Sequence, residues 1–318
     1  MDAIETEGLS KNYSIGFWRP RPYRALDGLS LRVGHGEVFG CLGPNGAGKT
    51  TALKLLMQLV FPTSGWARIL GKPVGDLGVR RRIGYLPENP YFYDYLTAEE
   101  LLQYFAGLFG YRRRDARARS SRLLDEVSIG AERRLPLRKF SKGMVQRVGI
   151  AQALINDPEV VFLDEPMSGL DPLGRREIRQ LILRLRDRGC TVFFSSHVLS
   201  DAEALCSRVA ILVKGRLAAS GSLSELLAQR SRGWEMVITG APPDVIGRLG
   251  AAVTSVTSLG EDRHLLELPL TSAPERIISA LLAQGATLVS LNPIRETLED
   301  VFVDRVAHAA VDRGLGPR

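Results

Sequence analysis

The sequence predicts an α/β fold with a mostly parallel sheet, followed by a smaller α+β domain. Short, wholly apolar runs such as Val160–Leu163 are typical of central parallel strands, which are buried on both faces. These runs alternate with segments of helical periodicity, as expected for a sheet that helices cover on both sides. The pattern changes after about residue 222. We therefore expect a first domain over 1–222, a second over 223–308 and a frayed tail over 309–318.

The first domain begins with two predicted strands, 2–12 and 26–33, joined by a Pro-rich, aromatic loop over 15–24. A buried strand over 37–42 leads through a glycine loop to a helix over 51–60. Thr97 and Glu100 have the spacing of a capping box and start a mainly helical region that extends to residue 150. Further strands are predicted over 83–87, 160–163 and 191–196.

The second domain is predicted as strand, helix, strand, strand, helix, strand and a last helix. The predicted ranges are 234–239, 243–249, 252–258, 263–268, 274–284, 286–291 and 295–307. The first six elements have the β-α-β-β-α-β order of a ferredoxin-like fold.

Composition limits the class of protein. The chain is 45% hydrophobic and 24% charged, as in a globular protein. It contains no apolar stretch long enough to span a membrane, and the N-terminus lacks the pattern of a signal peptide. Cys41, Cys190 and Cys206 form no metal or redox pattern, so we expect reduced thiols in a cytoplasmic protein.

The net charge of +7 is compatible with nucleic acid or an anionic membrane surface as a partner. Arginines cluster at 80–82, at 112–122 and at 133–134. No helix-turn-helix, zinc finger or aromatic-basic RNA motif accompanies them. We interpret the three runs as solvated helical faces and expect no nucleic-acid partner.

The segment from Gly43 to Thr50 fits the phosphate-binding loop G-x-x-x-x-G-K-[ST], and it lies between a predicted strand and a helix. Glycines let backbone N–H groups converge on phosphate oxygens, and the helix N-terminus adds positive charge. Lys49 is expected on the β- and γ-phosphates, and the Thr50 hydroxyl on Mg²⁺. The expected nucleotide-binding residues are Gly43, Pro44, Asn45, Gly46, Ala47, Gly48, Lys49, Thr50 and Thr51.

Two carboxylates, Asp164 and Glu165, end the apolar strand 160–163. Together with a phosphate-binding loop, Asp164 suits the coordination shell of Mg²⁺. Glu165 is placed to accept a proton from an attacking water molecule.

Several further motifs resemble those of ABC ATPases, in the order typical of that family. Phe140–Val148 resembles the signature motif, Ser168–Asp171 the D-loop, and Ser196-His197 the switch histidine. Tyr13 occupies the position of the aromatic residue that stacks on adenine. The resemblance covers about residues 1–220 and identifies the fold as that of an ABC ATPase with a mixed sheet and a helical subdomain.

The resemblance implies that two such domains meet head to tail and enclose two ATP molecules. Ser141 and Gly143 of one copy would cap the γ-phosphate held by the other, with Asp171 nearby. ATP and Mg²⁺ are the implied cofactors, and His197 is expected to orient the water against the γ-phosphate. Hydrolysis would remove the shared contact and let the two copies separate.

The chain departs from the family pattern at three positions. Lys142 and Met144 replace a glycine and a glutamine of the signature, and Glu88 stands where a glutamine is usual. A carboxylate at position 88 can still face Mg²⁺. These departures resemble those of drug, lipid and polysaccharide exporters and favour export over import.

Some of these residues have alternatives. Phe17, Trp18 and Tyr23 compete with Tyr13 for the adenine. The aromatics Tyr91, Phe92, Tyr93 and Tyr95 grip a membrane partner or pack the helical subdomain. An apolar stripe on the last helix is explained by core packing or by dimer contact; it comprises Leu298, Val301, Phe302 and Val306.

The sequence thus predicts the ATPase subunit of an ABC exporter. It would form a homodimer and drive a separate transmembrane permease at the cytoplasmic face of the cell membrane. The first alternative is an ABC ATPase that acts on nucleic acid or ribosomes, and the second is a non-hydrolysing regulatory module. The intact Lys49, Asp164 and Glu165 argue against the second.

Overall fold

The computed structural model describes residues 2–227, 231–295 and 300, except residues 17, 19 and 261. Contacts between Cα atoms divide the chain after Leu223 into two compact units. Each unit is described by itself.

The first unit contains two sheets and a set of helices. Its strands are Ile4–Ile15 (β1), Arg21–Val33 (β2), Val38–Leu42 (β3), Ser64–Ile69 (β4), Lys72–Pro73 (β5), Ile83–Leu86 (β6), Val160–Asp164 (β7), Thr191–Ser196 (β8), Arg208–Val213 (β9) and Arg216–Ser222 (β10). Its helices are Lys49–Leu56 (α1), Leu77–Arg80 (α2), Ala98–Leu108 (α3), Arg113–Glu126 (α4), Lys142–Ala153 (α5), Pro172–Asp187 (α6) and Leu199–Leu205 (α7). The helix Leu223–Leu227 (α8) begins at the boundary.

The larger sheet has the strand order β10-β9-β3-β8-β7-β6, and all its neighbouring strands are parallel except β10 and β9. The smaller sheet is antiparallel, in the order β2-β1-β4-β5. The predicted α/β class with a mixed sheet is confirmed. Parallel strands end at the same edge of the sheet, so β3, β7 and β8 bring the residues after Leu42, Asp164 and Ser196 together.

The hydrophobic core lies between the two sheets and includes the inner face of α1. Phe39 and Phe193 stack there with ring centroids 5.6 Å apart, and Phe162 packs against Phe193. Burying a phenylalanine of this kind stabilises a fold by about 1.5–3 kcal/mol. This core therefore fixes the edge of the sheet that carries the phosphate-binding loop and the paired carboxylates.

Two boundaries in the first unit differ from the prediction. The segment 15–24 is not a loop throughout, because β1 extends to Ile15 and β2 begins at Arg21, with Tyr13 paired to Tyr23. Helix α1 ends at Leu56 rather than at Val60. Gln58 has a φ of 52°. This is a left-handed conformation, which terminates helices.

Helices α3, α4 and α5 pack against one another and form the helical region predicted over 97–150. The capping box is confirmed, because Glu100 N donates to the Thr97 hydroxyl at 3.2 Å and Thr97 N donates to the Glu100 carboxylate at 2.9 Å. This reciprocal arrangement satisfies two free backbone donors and fixes the first turn of α3.

The second unit contains the strands Ser231–Thr239 (β11), Ser255–Ser258 (β12), Arg263–Pro269 (β13) and Thr287–Arg295 (β14), and the helices Pro243–Arg248 (α9) and Pro274–Ala283 (α10). Its antiparallel sheet has the order β12-β13-β11-β14. This is the strand order of the predicted ferredoxin-like fold. The predicted last helix, with its stripe from Leu298 to Val306, and the predicted tail lie outside the described residues.

The three cysteines are free and buried. Burial raises the pKa of the Cys41 and Cys190 thiols to about 12, and raises that of Cys206 as well. Within the described residues, no helix is both long enough and apolar enough to span a bilayer.

Candidate functional site

The phosphate-binding loop connects β3 to α1 and depends on glycine at two positions. Gly43 and Gly48 have φ values of 155° and 103°. A Cβ atom would lie 2.4 Å from the Leu212 carbonyl oxygen at the first position and 2.6 Å from the Ala25 carbonyl oxygen at the second. Gly48 caps α1 without a side chain, so the first amides of the helix remain open toward the loop.

The Lys49 ammonium group is buried and held within the loop. Its Nζ atom donates to the Gly43 carbonyl oxygen at 2.7 Å and to the Pro44 carbonyl oxygen at 3.3 Å. It also forms an ion pair with Glu165 Oε1 at 3.3 Å, where both side chains are less than one-tenth exposed. The cation is therefore fixed where the loop would receive a phosphate.

Asp164 ends β7 with one carboxylate oxygen engaged and the other unpaired. Its Oδ1 atom accepts hydrogen bonds from the Ser195 hydroxyl at 2.5 Å and from the Thr50 hydroxyl at 3.3 Å. Its Oδ2 atom is buried and has no hydrogen-bond partner among the residues that the structure describes. Burial raises the pKa of this carboxyl, and the negative charges of Glu88 and Glu165 add to that effect.

Glu165 turns the chain at the end of β7, with a left-handed φ of 50°. Its Oε2 atom lies 2.9 Å from Nδ1 of His197, whose side chain is half exposed. Its backbone N–H donates to the Ser195 hydroxyl at 3.0 Å. Glu165 therefore connects the buried Lys49 on one side with the solvent-facing His197 on the other.

A cavity of about 310 Å³ opens beside Lys49 and Glu165, whereas Asp164 and His197 are not among the residues that line it. It is lined by Tyr13, Tyr23, Ala25, Asn45, Gly46, Ala47, Gly48, Lys49, Thr50, Thr51, Glu88 and Glu165. Tyr13 and Tyr23 are cross-strand partners in the β1–β2 hairpin, so both remain candidates for the adenine. Trp18 is not among the lining residues, and Phe17 lies outside the described residues.

The predicted signature and D-loop residues are not among those lining this cavity. Ser141 is the N-cap of α5, where its hydroxyl accepts from Met144 N at 3.2 Å. Asp171 is the N-cap of α6 and accepts from Gly174 N at 2.7 Å. A Cβ atom on Gly143 would lie 3.2 Å from Leu170, so the start of α5 packs on the loop before α6.

Sequence reasoning missed two residues of the cluster. Ser195 lies directly opposite Asp164 in the sheet register, and its hydroxyl joins Asp164 to the amide of Glu165. Gln146 on α5 is buried, and its amide nitrogen lies 3.4 Å from the carbonyl oxygens of Glu165 and Pro166. The available signal for Ser195 was a hydroxyl at the end of an otherwise apolar strand.

Comparison with known proteins gives a consistent result. The family model for ABC transporters matches residues 26–168. An uncharacterized ABC transporter ATP-binding protein of Synechocystis is 50% identical over 249 residues, which cover 78% of this chain and 70% of the relative. The fluoroquinolones export ATP-binding protein of Mycobacterium tuberculosis is 43% identical over 210 residues, which cover 65% of this chain and 68% of that relative.

Among solved structures, an ATP-binding cassette in a dimeric, post-hydrolysis state bound to ADP and Pi is 26% identical, with a TM-score of 0.64. The match covers 69% of this chain and 98% of that chain. The coverage and identity of these matches, with the loop and carboxylates described above, establish the family. The chain belongs to the ATP-binding subunits of ABC transporters and is an ATPase of that family.

Proposed function

We propose that two copies of this chain bind ATP with Mg²⁺ between them, in a head-to-tail dimer, and drive a separate membrane permease that exports its cargo. The observation that carries the proposal is the cluster of Lys49, Asp164, Glu165 and His197 at one end of the phosphate-binding loop. The ATPase would then lie at the cytoplasmic face of the membrane, attached through the permease.

The loop is proposed to hold the phosphates of ATP. The open amides at the start of α1 and the Lys49 ammonium supply hydrogen bonds and positive charge. Because Lys49 pairs with Glu165 at 3.3 Å, a bound γ-phosphate competes with that carboxylate for the cation. Binding of ATP thereby releases Glu165 to act as a proton acceptor.

The residues around Asp164 fit a magnesium ion. Asp164 Oδ2 is buried without a partner, as expected of an oxygen that ligates a cation. Thr50, Asp164 and Glu88 supply only oxygen atoms, which Mg²⁺ prefers. The ion would neutralise charge on the phosphate oxygens, and these three residues would hold it.

Glu165 is proposed as the general base for the attacking water, with His197 as the residue that orients it. His197 Nδ1 lies 2.9 Å from Glu165 Oε2, which fixes the direction of both side chains. The amide of Glu165 is in turn held by Ser195 at 3.0 Å. These contacts keep the carboxylate in one position, as proton transfer requires.

The second copy is proposed to supply Ser141, Gly143 and Asp171. These residues lie at the starts of α5 and α6, outside the lining of the loop cavity of their own chain. A helix N-terminus offers amides and positive charge to a phosphate. The dimeric state of the related cassette supports this arrangement.

The permease is proposed to dock on the helical region beside Tyr91, Tyr93 and Tyr95. These tyrosines are 96%, 56% and 64% exposed. Such exposure is unusual, because large aromatic side chains gain stability by burial. A cavity of about 390 Å³ lies between the end of α1, β6 and the end of α5. A membrane partner would cover both features.

Export is supported by the relative from Mycobacterium tuberculosis, whose name gives it a role in fluoroquinolone export. The residues Glu88, Lys142 and Met144, at the three positions where the chain departs from the common family pattern, agree with that direction.

The Glu165→Gln variant tests the proposal. We expect ATP hydrolysis to fall by about 10²–10⁴ while ATP binding is kept, because the amide preserves size but cannot accept the proton. Light scattering after gel filtration should then show a dimer in ATP and a monomer in ADP.

Lys49→Ala in the same background is the control, and it should remain monomeric in ATP because the phosphates lose their cation. A Glu165→Gln protein that stays monomeric in saturating ATP, or that hydrolyses ATP near the wild-type rate, contradicts the proposal.

A further inference from the structure

A further cavity, of about 740 Å³, lies on the helical region and is lined mainly by arginine. Its lining residues are Glu99, Arg113, Arg114, Arg117, Ala118, Ser121, Arg133 and Arg134. The arginines come from the two separate runs 112–122 and 133–134, whose pattern predicts solvated helical faces. The structure instead brings them together around one space.

The spacing of residues on α4 creates one wall of this arginine cavity. Arg114, Arg117, Ala118 and Ser121 recur at the intervals of a single helical face. The small side chains of Ala118 and Ser121 leave room in front of that face, whereas the arginines project beyond it. The wall is thus a concave surface edged by guanidinium groups.

Arg133 joins α4 to the segment that follows this helix. Its guanidinium donates to the Gly130 carbonyl oxygen at 2.7 Å, to Asp125 Oδ1 at 2.6 Å and to the Ser121 hydroxyl. Its backbone carbonyl accepts from Glu99 N at 3.0 Å, which ties the segment to the start of α3. The cavity is therefore a formed feature of the fold.

The charges that line the cavity are unbalanced. Five guanidinium groups and one carboxylate, Glu99, line it, and of the five only Arg133 is balanced by a close ion pair with another residue, Asp125, at 2.6 Å among the described residues. Arg117 and Arg134 lie 3.9 Å and 4.0 Å from the Glu99 carboxylate, at the limit of an ion pair. Within the part of the chain that the structure describes, Arg113 and Arg114 make no ion pair and no side-chain hydrogen bond.

Arg119, in the same run, provides a contrast. Its side chain is only 15% exposed; it donates to the Ile155 carbonyl oxygen and lies over the Tyr111 ring at 5.1 Å. This arginine has a structural role that its burial explains. The arginines of the cavity, apart from Arg133, have no comparable set of contacts, so stability alone does not account for them.

We propose that the arginine cavity binds a phosphate-bearing anion, either a free polyphosphate or the phosphomonoester headgroup of an anionic phospholipid. Like charges that converge on one space repel each other, and a multiply charged anion relieves that repulsion. The planar guanidinium group pairs with two phosphate oxygens at once. A phosphate group offers more acceptor oxygens than the one carboxylate in the cavity, whose two oxygens lie near Arg117 and Arg134.

Calorimetric titration with pyrophosphate tests the site in the full chain. The wild type should bind two equivalents, one at the phosphate-binding loop and one in the arginine cavity. The double variant Arg113→Gln, Arg114→Gln should bind one equivalent at the original affinity. The second equivalent should weaken by at least about tenfold, because charge-assisted hydrogen bonds are lost.

The matched control is Arg184→Gln, Arg186→Gln, which removes two exposed arginines from α6 and should keep both equivalents. Steady-state ATP hydrolysis and the melting temperature should be unchanged in both double variants. If the first double variant folds poorly, Arg134→Gln carries the same test, since its side chain is 81% exposed.

Vesicle sedimentation identifies the source of the phosphate. Greater binding to vesicles that contain phosphatidic acid than to pure phosphatidylcholine, lost only in the cavity variant, indicates a lipid headgroup. Pyrophosphate binding without vesicle binding indicates a free anion. The proposal is overturned if the wild type binds one equivalent and ignores both vesicles, or if the cavity and control variants behave alike.

Discussion

The nucleotide cavity and the arginine cavity hold their charges in opposite ways. Lys49, Asp164 and Glu165 are buried, and each is held by hydrogen bonds or ion pairs within the chain. Arg113 and Arg114 are exposed and have no such partners among the described residues. Buried charges are costly without partners, whereas water stabilises exposed ones. Changes of single side-chain atoms should therefore alter the nucleotide cavity, whereas ions in solution should alter the arginine cavity.

Of the effects compared below, the largest is expected at His197, the half-exposed member of the nucleotide cluster. We expect His197→Ala to lower the steady-state rate of ATP hydrolysis by about 10²-fold, because Glu165 loses the group that orients it. ATP binding should be kept, since Lys49 and the loop are unchanged. His264→Ala, in the second unit, is the control, and equal rates in the two variants would remove His197 from the mechanism.

A smaller effect is expected at Ser195, whose hydroxyl group joins Asp164 to the amide of Glu165. Ser195→Ala leaves Asp164 Oδ1 with one hydrogen bond fewer and the Glu165 amide without its partner. We expect the free energy of unfolding to fall by about 1–3 kcal/mol, measured by urea denaturation.

Ser196→Ala is the matched control, because among the described residues that hydroxyl forms hydrogen bonds only with the backbone of Val198. The free energy of unfolding should fall less in Ser196→Ala than in Ser195→Ala. The reverse order would show that the Ser195 bridge does not hold the cluster.

Asp164 should make the nucleotide-free protein less stable as the pH rises. Because burial raises its pKa in the folded state, the folded chain binds more protons than the unfolded chain between the ordinary pKa of 3.8 and the raised value. The stability that this extra bound proton contributes is present below about pH 3.8. It is lost as the pH rises through the folded-state pKa of Asp164.

We therefore expect Asp164→Asn to melt at a higher temperature than the wild type at pH 7 without metal, with the difference shrinking toward pH 4. Thermal melts across this range measure it. A variant that is less stable than the wild type at pH 7 would mean that the carboxylate gains more from its partners than it loses by burial.

The smallest effect on stability is expected for Arg113→Gln, Arg114→Gln. Exposed substitutions without partners change the free energy of unfolding by less than about 0.5 kcal/mol. Urea denaturation at low and high salt checks this expectation. A clear loss of stability would give these arginines a structural role and would erase the contrast between the two cavities.

Much of the fold was predictable because its signals are local. The apolar run 160–163 and the capping box from Thr97 to Glu100 indicate their elements without reference to distant residues. The extension of the first hairpin was not predictable, because it depends on pairing Tyr13 with Tyr23 across a Pro-rich segment. The end of α1 depends on one left-handed residue, Gln58, whose type does not require that conformation.

In the site, motif residues were predictable and their contacts were not. The loop and the Asp164-Glu165 pair follow from sequence spacing. The position of Ser195 beside Asp164 follows from the register of two strands that are separated along the chain. The ion pair of Lys49 with Glu165 likewise depends on the folded sheet, which brings the ends of β3 and β7 together.

The burial of the three cysteines has a practical consequence for following the molecule in motion. Reagents such as maleimides react with thiolates, and these thiols are both inaccessible and hard to ionise. A cysteine introduced at an exposed position such as Tyr91 can be labelled without deleting the native ones. A fluorescent or spin probe attached there would report whether the proposed permease partner covers this surface.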